Sequence, residues 1–165
     1  KQVSGKEVLT ALVAGYELAV RVAKAINPGH RSRGYHTTGT VSCLGAAAAG
    51  ARLMGCNAEQ IAWAIGLAGM QSAGIQSYLD DPCIAKPFSP GKSAFNGTLA
   101  AVMASRGFSG PKKVLESKEG FFNAFTDSNA NTCTNIVKTD CITSLNCTKL
   151  VKPNACTSKN IWGDC

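Results

Sequence analysis

The sequence predicts an all-α fold, a bundle of about five to six helices with close-packed Gly- and Ala-rich helices, followed by an irregular tail rich in Cys, Thr and Asn. Apolar residues recur at helical spacing in several segments, and Asn, Pro and Gly separate these segments. The helical period ends after Thr126. We therefore expect a helical domain at residues 1–126 and an irregular C-terminal appendage at residues 127–165.

The first helix is predicted to begin at Ser4. Ser4 and Glu7 have the spacing of a capping box, in which each side chain accepts a hydrogen bond from the backbone N–H of the other residue. The turn Asn27-Pro28-Gly29 is expected to end this helix. A helical period indicates its apolar face, which consists of Leu9, Leu12, Val13, Tyr16, Val20 and Ala23.

The second helix is expected from about Thr38 to Met54, with Gly55 as its stop. Small residues fall on one of its faces, namely Gly39, Cys43, Ala46 and Gly50. Because the distance between two helix axes depends on the side chains at their contact, this face can let a neighbouring helix approach unusually closely.

The third helix opens with another capping-box spacing, between Asn57 and Gln60. Its expected buried stripe consists of Ile61, Ala64, Ile65 and Ala68. The segment from Ser72 to Pro87 contains Gly and an Asp-Asp-Pro sequence, and is predicted to be a loop.

The fourth helix is predicted to start with Ser89 as N-cap and Pro90 at the first helical position, and to continue to Gly107. A short helix is expected from Lys112 to Glu116. The segment from Gly120 to Phe125 is expected to form one more helical turn. Its aromatic side chains, together with that of Phe108, are interpreted as core or dimer contacts.

Composition limits the classes of partner. The net charge is +7, but the basic residues are scattered and form no stripe interleaved with aromatic residues, which argues against nucleic acid and favours a small anion. The longest apolar run, residues 41–51, is shorter than the roughly 20 residues that cross a membrane. The eight Cys include no C-x-x-C pair and no Cys/His zinc spacing, so no metal site is expected.

The most informative stretch for chemistry is Gly34-Tyr35-His36-Thr37-Thr38, directly before and into the second helix. A helix N-terminus favours anions, and His36 is the group there best able to transfer a proton near neutral pH. The preceding Arg31 and Arg33 make the approach basic. His30 follows Pro-Gly and is interpreted as an exposed turn residue.

A family resemblance adds to this interpretation. The order and spacing of several segments over about residues 3–126 resemble the MmgE/PrpD family, which includes 2-methylcitrate dehydratase and cis-aconitate decarboxylase. In chain order these segments are Val3-Ser4-Gly5-Lys6-Glu7, Gly15-Tyr16-Glu17, Gly34-Tyr35-His36-Thr37-Thr38 with the Gly/Ala-rich helix, Lys86-Pro87, Pro90-Gly91, Gly107-Phe108-Ser109-Gly110-Pro111, Val114-Leu115-Glu116 and Gly120-Phe121-Phe122-Asn123-Ala124-Phe125.

The resemblance implies a helical domain of an intracellular (cytoplasmic or mitochondrial) homodimeric lyase that dehydrates or decarboxylates a citrate- or aconitate-like acid without metal or organic cofactor. His36 and Lys86 match the family's site histidine and lysine. Substrate carboxylates are expected to be held by Lys86, by Arg31 and Arg33, and at the helix start formed by Thr37 and Thr38.

Two other interpretations remain open. The family's upstream Asp-rich segment and its lid domain are not recognised in this sequence, and many relatives have His where this chain has Ser89. A non-catalytic remnant that keeps the helical core and the dimer surface is therefore the alternative. A small secreted Cys-rich protein ranks last, because the helical body needs no disulfides.

Overall fold

The computed structural model describes residues 2–127, and it confirms the all-α prediction. No β-strand forms among these residues, which contain one isolated bridge between Tyr35 and Ile75. The expectations for the Cys-rich tail lie outside the described residues, so the domain boundary after residue 126 stays a prediction. The elements are α1 (Gly5–Ile26), α2 (Gly29–Ser32), α3 (Thr37–Met54), α4 (Ala58–Gly69), a 3-10 turn (Ser77–Leu79), α5 (Phe88–Ser105) and α6 (Phe121–Phe125).

The predicted caps of α1 are present. The Ser4 hydroxyl accepts a hydrogen bond from the Glu7 N–H at 3.3 Å, and the Glu7 carboxylate accepts one from the Ser4 N–H at 2.8 Å. Asn27 ends the helix, since its N–H donates to the Ala23 carbonyl. The sequence signals at both ends of α1 are thus confirmed.

The apolar face predicted for α1 is not the face of the helix that enters the core. Its large members are exposed, with Tyr16 at 70% and Leu9 at 66%. The buried face consists of Ala11, Ala14, Gly15, Leu18, Val22, Ala25 and Ile26. The reason is close packing on α3, because a Cβ on Gly15 would lie 2.6 Å from the carbonyl oxygen of Gly45. Such a contact admits only small residues.

Helix α3 lies at the centre of the bundle and contacts α1, α4 and α5. Its predicted small-residue face does receive a close neighbour, which is α5. A Cβ on Gly97 would lie 2.5 Å from Cβ of Ala46, and one on Gly50 would lie 3.1 Å from Cβ of Ala101. The end of α3 is also as expected, since Gly55 adopts a left-handed φ of 81°.

Helix α4 follows its prediction closely. Asn57 and Gln60 form the expected capping box, with bonds of 2.9 and 3.0 Å. The expected stripe of Ile61, Ala64, Ile65 and Ala68 is buried.

The start of α5 differs from its prediction. The N-cap is Pro87 rather than Ser89, and no side chain caps this end. Pro87 has φ −64° and ψ −16°, which is already helical, and the N–H of Phe88 donates to the Ala85 carbonyl in a preceding turn. The fixed φ of proline therefore starts the helix before Ser89 is reached.

The short helix expected from Lys112 to Glu116 is also wrong, because this segment forms hydrogen-bonded turns. Two of its carbonyls accept hydrogen bonds from residues of α6 instead of from residues of the same segment. The N–H of Phe121 donates to Val114 at 2.7 Å, and that of Phe122 donates to Leu115 at 3.1 Å. Helix α6 itself is confirmed, and Phe121 and Phe122 are buried core residues. Phe108 is exposed.

No helix within residues 2–127 has the length and apolarity needed to cross a lipid bilayer.

Candidate active site

His36 occupies the N-cap of α3, where its backbone is held from two sides. Its carbonyl accepts bonds from the N–H groups of Gly39 at 2.8 Å and Thr40 at 3.1 Å. Its own N–H donates to the carbonyl of Gly74 at 3.1 Å, in the loop between α4 and α5. The residue is therefore fixed between the first turn of α3 and this loop.

The imidazole ring of His36 is buried on one edge. The residue is 9% exposed, and Nδ1 is a buried atom without a hydrogen-bond partner among the described residues. The ring of Tyr78 approaches edge-on, with centroids 5.2 Å apart. Unpaired buried polar atoms are rare in proteins, and one on a titratable ring marks a candidate functional site.

Two cations act on this ring. Burial lowers the pKa of His36 below its ordinary value, and the positive charges of Lys86 and Arg31 lower this pKa further. Lys86 lies in the exposed turn before α5, and Arg31 is an exposed residue of α2. The structure thus brings together three predicted residues, and in the free chain it favours a neutral imidazole near pH 7.

Arg33 takes a different position. Its guanidinium pairs with the carboxylate of Asp127 at 3.3 Å and lies 5.8 Å from the ring centroid of Tyr35. Its charge acts on His30 and is not among the charges that shift the pKa of His36. A substrate-binding role for Arg33 stays a prediction.

Thr37 and Thr38 form the first turn of α3. The Thr37 hydroxyl accepts a bond from the Asn27 side-chain amide at 3.4 Å, and the Thr38 carbonyl accepts one from the Ser93 hydroxyl at 2.9 Å. No side chain caps α3, and the N–H groups of Gly39 and Thr40 already donate to the His36 carbonyl, so the N–H groups of Thr37 and Thr38 are those without a partner among the described residues. Any contribution to anion binding would come from these N–H groups.

Sequence reasoning missed the residues that hold the loop against His36. The side-chain amide of Gln76 donates to the carbonyls of Tyr35 at 2.9 Å and Arg31 at 3.3 Å. The ammonium of Lys92 in α5 donates to the carbonyl of Ala73 at 2.7 Å. These contacts join residues far apart in the chain, and no local pattern signals them.

The interpretation of His30 as an exposed turn residue is wrong. His30 is fully buried, and both of its ring nitrogens are hydrogen-bonded. Burial also lowers its pKa. Among residues 2–127, no group of three or more His, Cys, Asp or Glu side chains could hold a metal ion.

The chain is similar to known proteins over most of its length. The model of the MmgE/PrpD N-terminal domain matches residues 1–134. A cis-aconitate decarboxylase-like protein of Aspergillus oryzae is 34% identical over 132 residues, which are 79% of this chain and 27% of that protein. The cis-aconitate decarboxylase of Aspergillus terreus is 31% identical over 131 residues, or 78% of this chain and 26% of that protein. The chain thus spans about a quarter of the length of these relatives.

Proposed function

The chain belongs to the MmgE/PrpD family, and from this premise we propose that it is a lyase-type domain. In this proposal the domain binds a small di- or tricarboxylic acid and dehydrates or decarboxylates it. The substrate would be a citrate- or aconitate-like acid. The relatives named as cis-aconitate decarboxylases support this substrate class.

One observation carries the proposal. A titratable ring lies nearly buried at a helix N-terminus, its Nδ1 has no partner among the described residues, and two cations act on it. Each of these features disfavours a positive charge on the ring, and a bound anion would offset them all. The site therefore suits a ligand with several carboxylates better than a neutral one.

Binding of the acid would use fixed positive potential. Lys86 and Arg31 would each hold a carboxylate, and the first-turn N–H groups of α3 would hold another. Because Lys86 and Arg31 are exposed, their side chains can close around a ligand that reaches His36. Negative charge that develops on the substrate would be stabilised by the same groups.

Proton transfer is assigned to His36. In a dehydration, the neutral ring would take the proton next to a carboxylate while the C–O bond breaks. The protonated ring would then give this proton to the leaving hydroxide, so that water is released and the ring is neutral again. In a decarboxylation, the C–C bond breaks with loss of CO2, and the ring would give a proton to the carbanion that remains. A polyanionic ligand would favour the protonated ring that this second step needs.

A non-catalytic remnant is the second candidate. This candidate is favoured by the ring of His36, because no described residue forms a hydrogen bond with Nδ1 that would orient the ring for proton transfer. Such a chain could bind the acid without converting it.

The proposal includes a homodimer and an intracellular location. The exposed apolar face of α1 supports self-association, and sedimentation velocity would measure it. The free thiols of Cys43, Cys56 and Cys83 suit a reducing compartment.

The test combines binding and turnover. The purified chain would be given cis-aconitate, citrate and 2-methylcitrate in D2O, and NMR would follow product formation and deuterium uptake into substrate. Replacement of the acid–base group in His36→Gln should lower turnover by about 10²–10⁴-fold. Lys86→Gln should weaken binding of the acid.

Lys118→Gln is the matched control for Lys86→Gln, because it removes the same charge. The Lys118 side chain is 94% exposed, and its charge is not among those that act on His36. Binding without turnover would support the remnant. Absence of binding to the unaltered chain, or equal effects of the two lysine variants, would refute the proposed site.

A further inference from the structure

The chain has two histidines, and the one outside the proposed site lies six residues before His36. His30 is fully buried in α2. Its Nδ1 lies 3.0 Å from the carbonyl oxygen of Phe125, and its Nε2 lies 2.8 Å from the hydroxyl of Thr40. Both ring nitrogens thus have partners, in contrast to Nδ1 of His36.

The hydrogen bonds of His30 define its tautomer. A carbonyl oxygen can only accept, so Nδ1 carries the proton and donates it to Phe125. Burial lowers the pKa of His30, which favours the neutral ring. Nε2 is then an acceptor, and the Thr40 hydroxyl donates to it. The hydroxyl lies further, 3.3 Å, from the carbonyls of His36 and Thr37.

His30 holds the chain on both sides of His36. On the N-terminal side, its ring stacks on Tyr35, with centroids 4.8 Å apart and planes 14° from parallel. On the C-terminal side, it binds the side chain of Thr40, whose backbone N–H donates to the carbonyl of His36. One buried ring therefore contacts both Tyr35, which precedes His36 in the chain, and Thr40, which hydrogen-bonds to the His36 backbone.

The same ring connects His36 to α6. The Phe125 carbonyl accepts from Nδ1 of His30, and the Phe125 ring packs edge-on against Tyr35 at 5.2 Å. Phe125 ends α6, whereas His36 begins α3. A ring in this place can transmit the position of α6 to the first turn of α3.

We propose that His30 is a positioning residue for His36, which it holds through the Thr40 hydroxyl and the Tyr35 ring so that the unpartnered edge of His36 stays buried. His30 does not touch the substrate in this proposal. The proposal rests on the proposed function for the role of His36, but the geometry it concerns is measurable without any ligand.

The test uses a matched pair at Thr40. Thr40→Val removes the hydroxyl and keeps the shape, whereas Thr40→Ser keeps the hydroxyl. Because the sequence has only two histidines, NMR can follow both imidazole rings during a pH titration. We expect Thr40→Val to raise the titration midpoint of His36 toward its ordinary value of about 6.5, since a released ring is more hydrated and lies further from Lys86 and Arg31.

Thr40→Ser should leave this midpoint where it is in the unaltered chain. A purely structural His30 would give another result, in which Thr40→Val lowers the thermal midpoint but leaves the titration of His36 unchanged. That result would overturn the proposal. Titrations are made at a temperature at which circular dichroism shows each variant to be folded.

A second pair covers the case in which Thr40→Val does not fold. Tyr35→Leu removes the stacked ring, and Tyr35→Phe keeps it. The midpoint of His36 should rise in Tyr35→Leu alone, and equal midpoints in the two variants would overturn the proposal.

Addition of citrate separates this inference from the proposed function. If citrate shifts no amide signal of Thr37 or Thr38 but Thr40→Val still raises the midpoint, the proposed ligand is wrong and the positioning role stands. If citrate binds and Thr40→Val leaves the midpoint unchanged, the ligand stands and the positioning role is wrong.

Discussion

Gly97 of α5 lies so close to α3 that there is no space for a side chain. An added Cβ would lie 2.5 Å from Cβ of Ala46 and 2.5 Å from the carbonyl oxygen of Cys43. Since carbon atoms pack at about 3.5–4.0 Å, α5 would have to move away by about 1 Å. Overpacking of this kind costs about 1–3 kcal/mol. We expect Gly97→Ala to lower the free energy of unfolding by this amount, although alanine is the better helix former.

Gly91→Ala is the matched control in the same helix. An added Cβ there meets nothing within 4 Å, so the higher helix propensity of alanine should stabilise the fold by about 0.5–1 kcal/mol. Urea unfolding followed by circular dichroism measures both changes. The packing argument is refuted if Gly97→Ala is as stable as Gly91→Ala.

The same substitution should reach the candidate site. Ser93 of α5 donates to the carbonyl of Thr38 at 2.9 Å, and Lys86 directly precedes Pro87, the N-cap of this helix. Displacement of α5 would therefore carry Lys86 away from His36. We expect the pKa of His36 to rise toward its ordinary value in Gly97→Ala and to stay unchanged in Gly91→Ala, as NMR titration would show.

Three further predictions concern stability. Leu18→Ala should lower the free energy of unfolding by about 2–5 kcal/mol, because Leu18 is buried. Leu9→Ala should change it by less than about 0.5 kcal/mol, because Leu9 is exposed. Equal losses in urea unfolding would contradict the orientation of α1. Ser4→Ala should cost about 1 kcal/mol in the same assay, through loss of the cap of α1. The pKa values of His30 and His36 are lowered in the folded state, so below about pH 6.5 the unfolded chain binds more protons than the folded chain. The free energy of unfolding, measured with urea, should therefore be smaller at about pH 5.5 than at about pH 7.5.

The helix boundaries that the sequence predicted well depend on short-range chemistry. A capping box joins two residues that are three apart, such as Ser4 and Glu7. Its whole hydrogen-bond pattern therefore lies within four consecutive residues of the sequence. Gly55 ends α3 because its left-handed backbone needs no partner elsewhere. Where the boundary depended on a tertiary partner, as in the turns that bond to Phe121 and Phe122, the local pattern predicted the wrong structure.

Hydrophobicity alone does not distinguish the inner face of α1 from its exposed apolar face. Large apolar residues lie on both faces of this helix: Leu9 and Tyr16 are exposed, whereas Leu18, Val22 and Ile26 are buried beside Gly15 and alanines. Close approach of two backbones selects small side chains, which carry little hydrophobic signal. The period of large residues therefore indicated a real apolar face, but not the one that packs on α3.

The surroundings of the candidate site could be predicted only in part, because they depend on residues far apart in the chain. The family resemblance predicts that His36 and Lys86 are site residues, and the fold places Lys86 within electrostatic range of His36. The hydrogen-bond partner of His30 Nδ1 is the carbonyl of Phe125, which is 95 residues from His30 along the chain. No pattern near either histidine contains this information.

Gly39 connects the packing of α3 to the chemistry of His36. A Cβ on Gly39 would lie 2.9 Å from the carbonyl oxygen of Ala73 and 3.2 Å from Cα of Gly74, so the loop backbone lies directly on the first turn of α3. Gly74 has a φ of 151°, which L side chains rarely adopt. This contact lets the Gly74 carbonyl accept from the His36 N–H, and the loop carries Tyr78 onto the imidazole. The glycine at the start of α3 therefore keeps a histidine nitrogen away from water, whereas the small residues further along the helix admit α5.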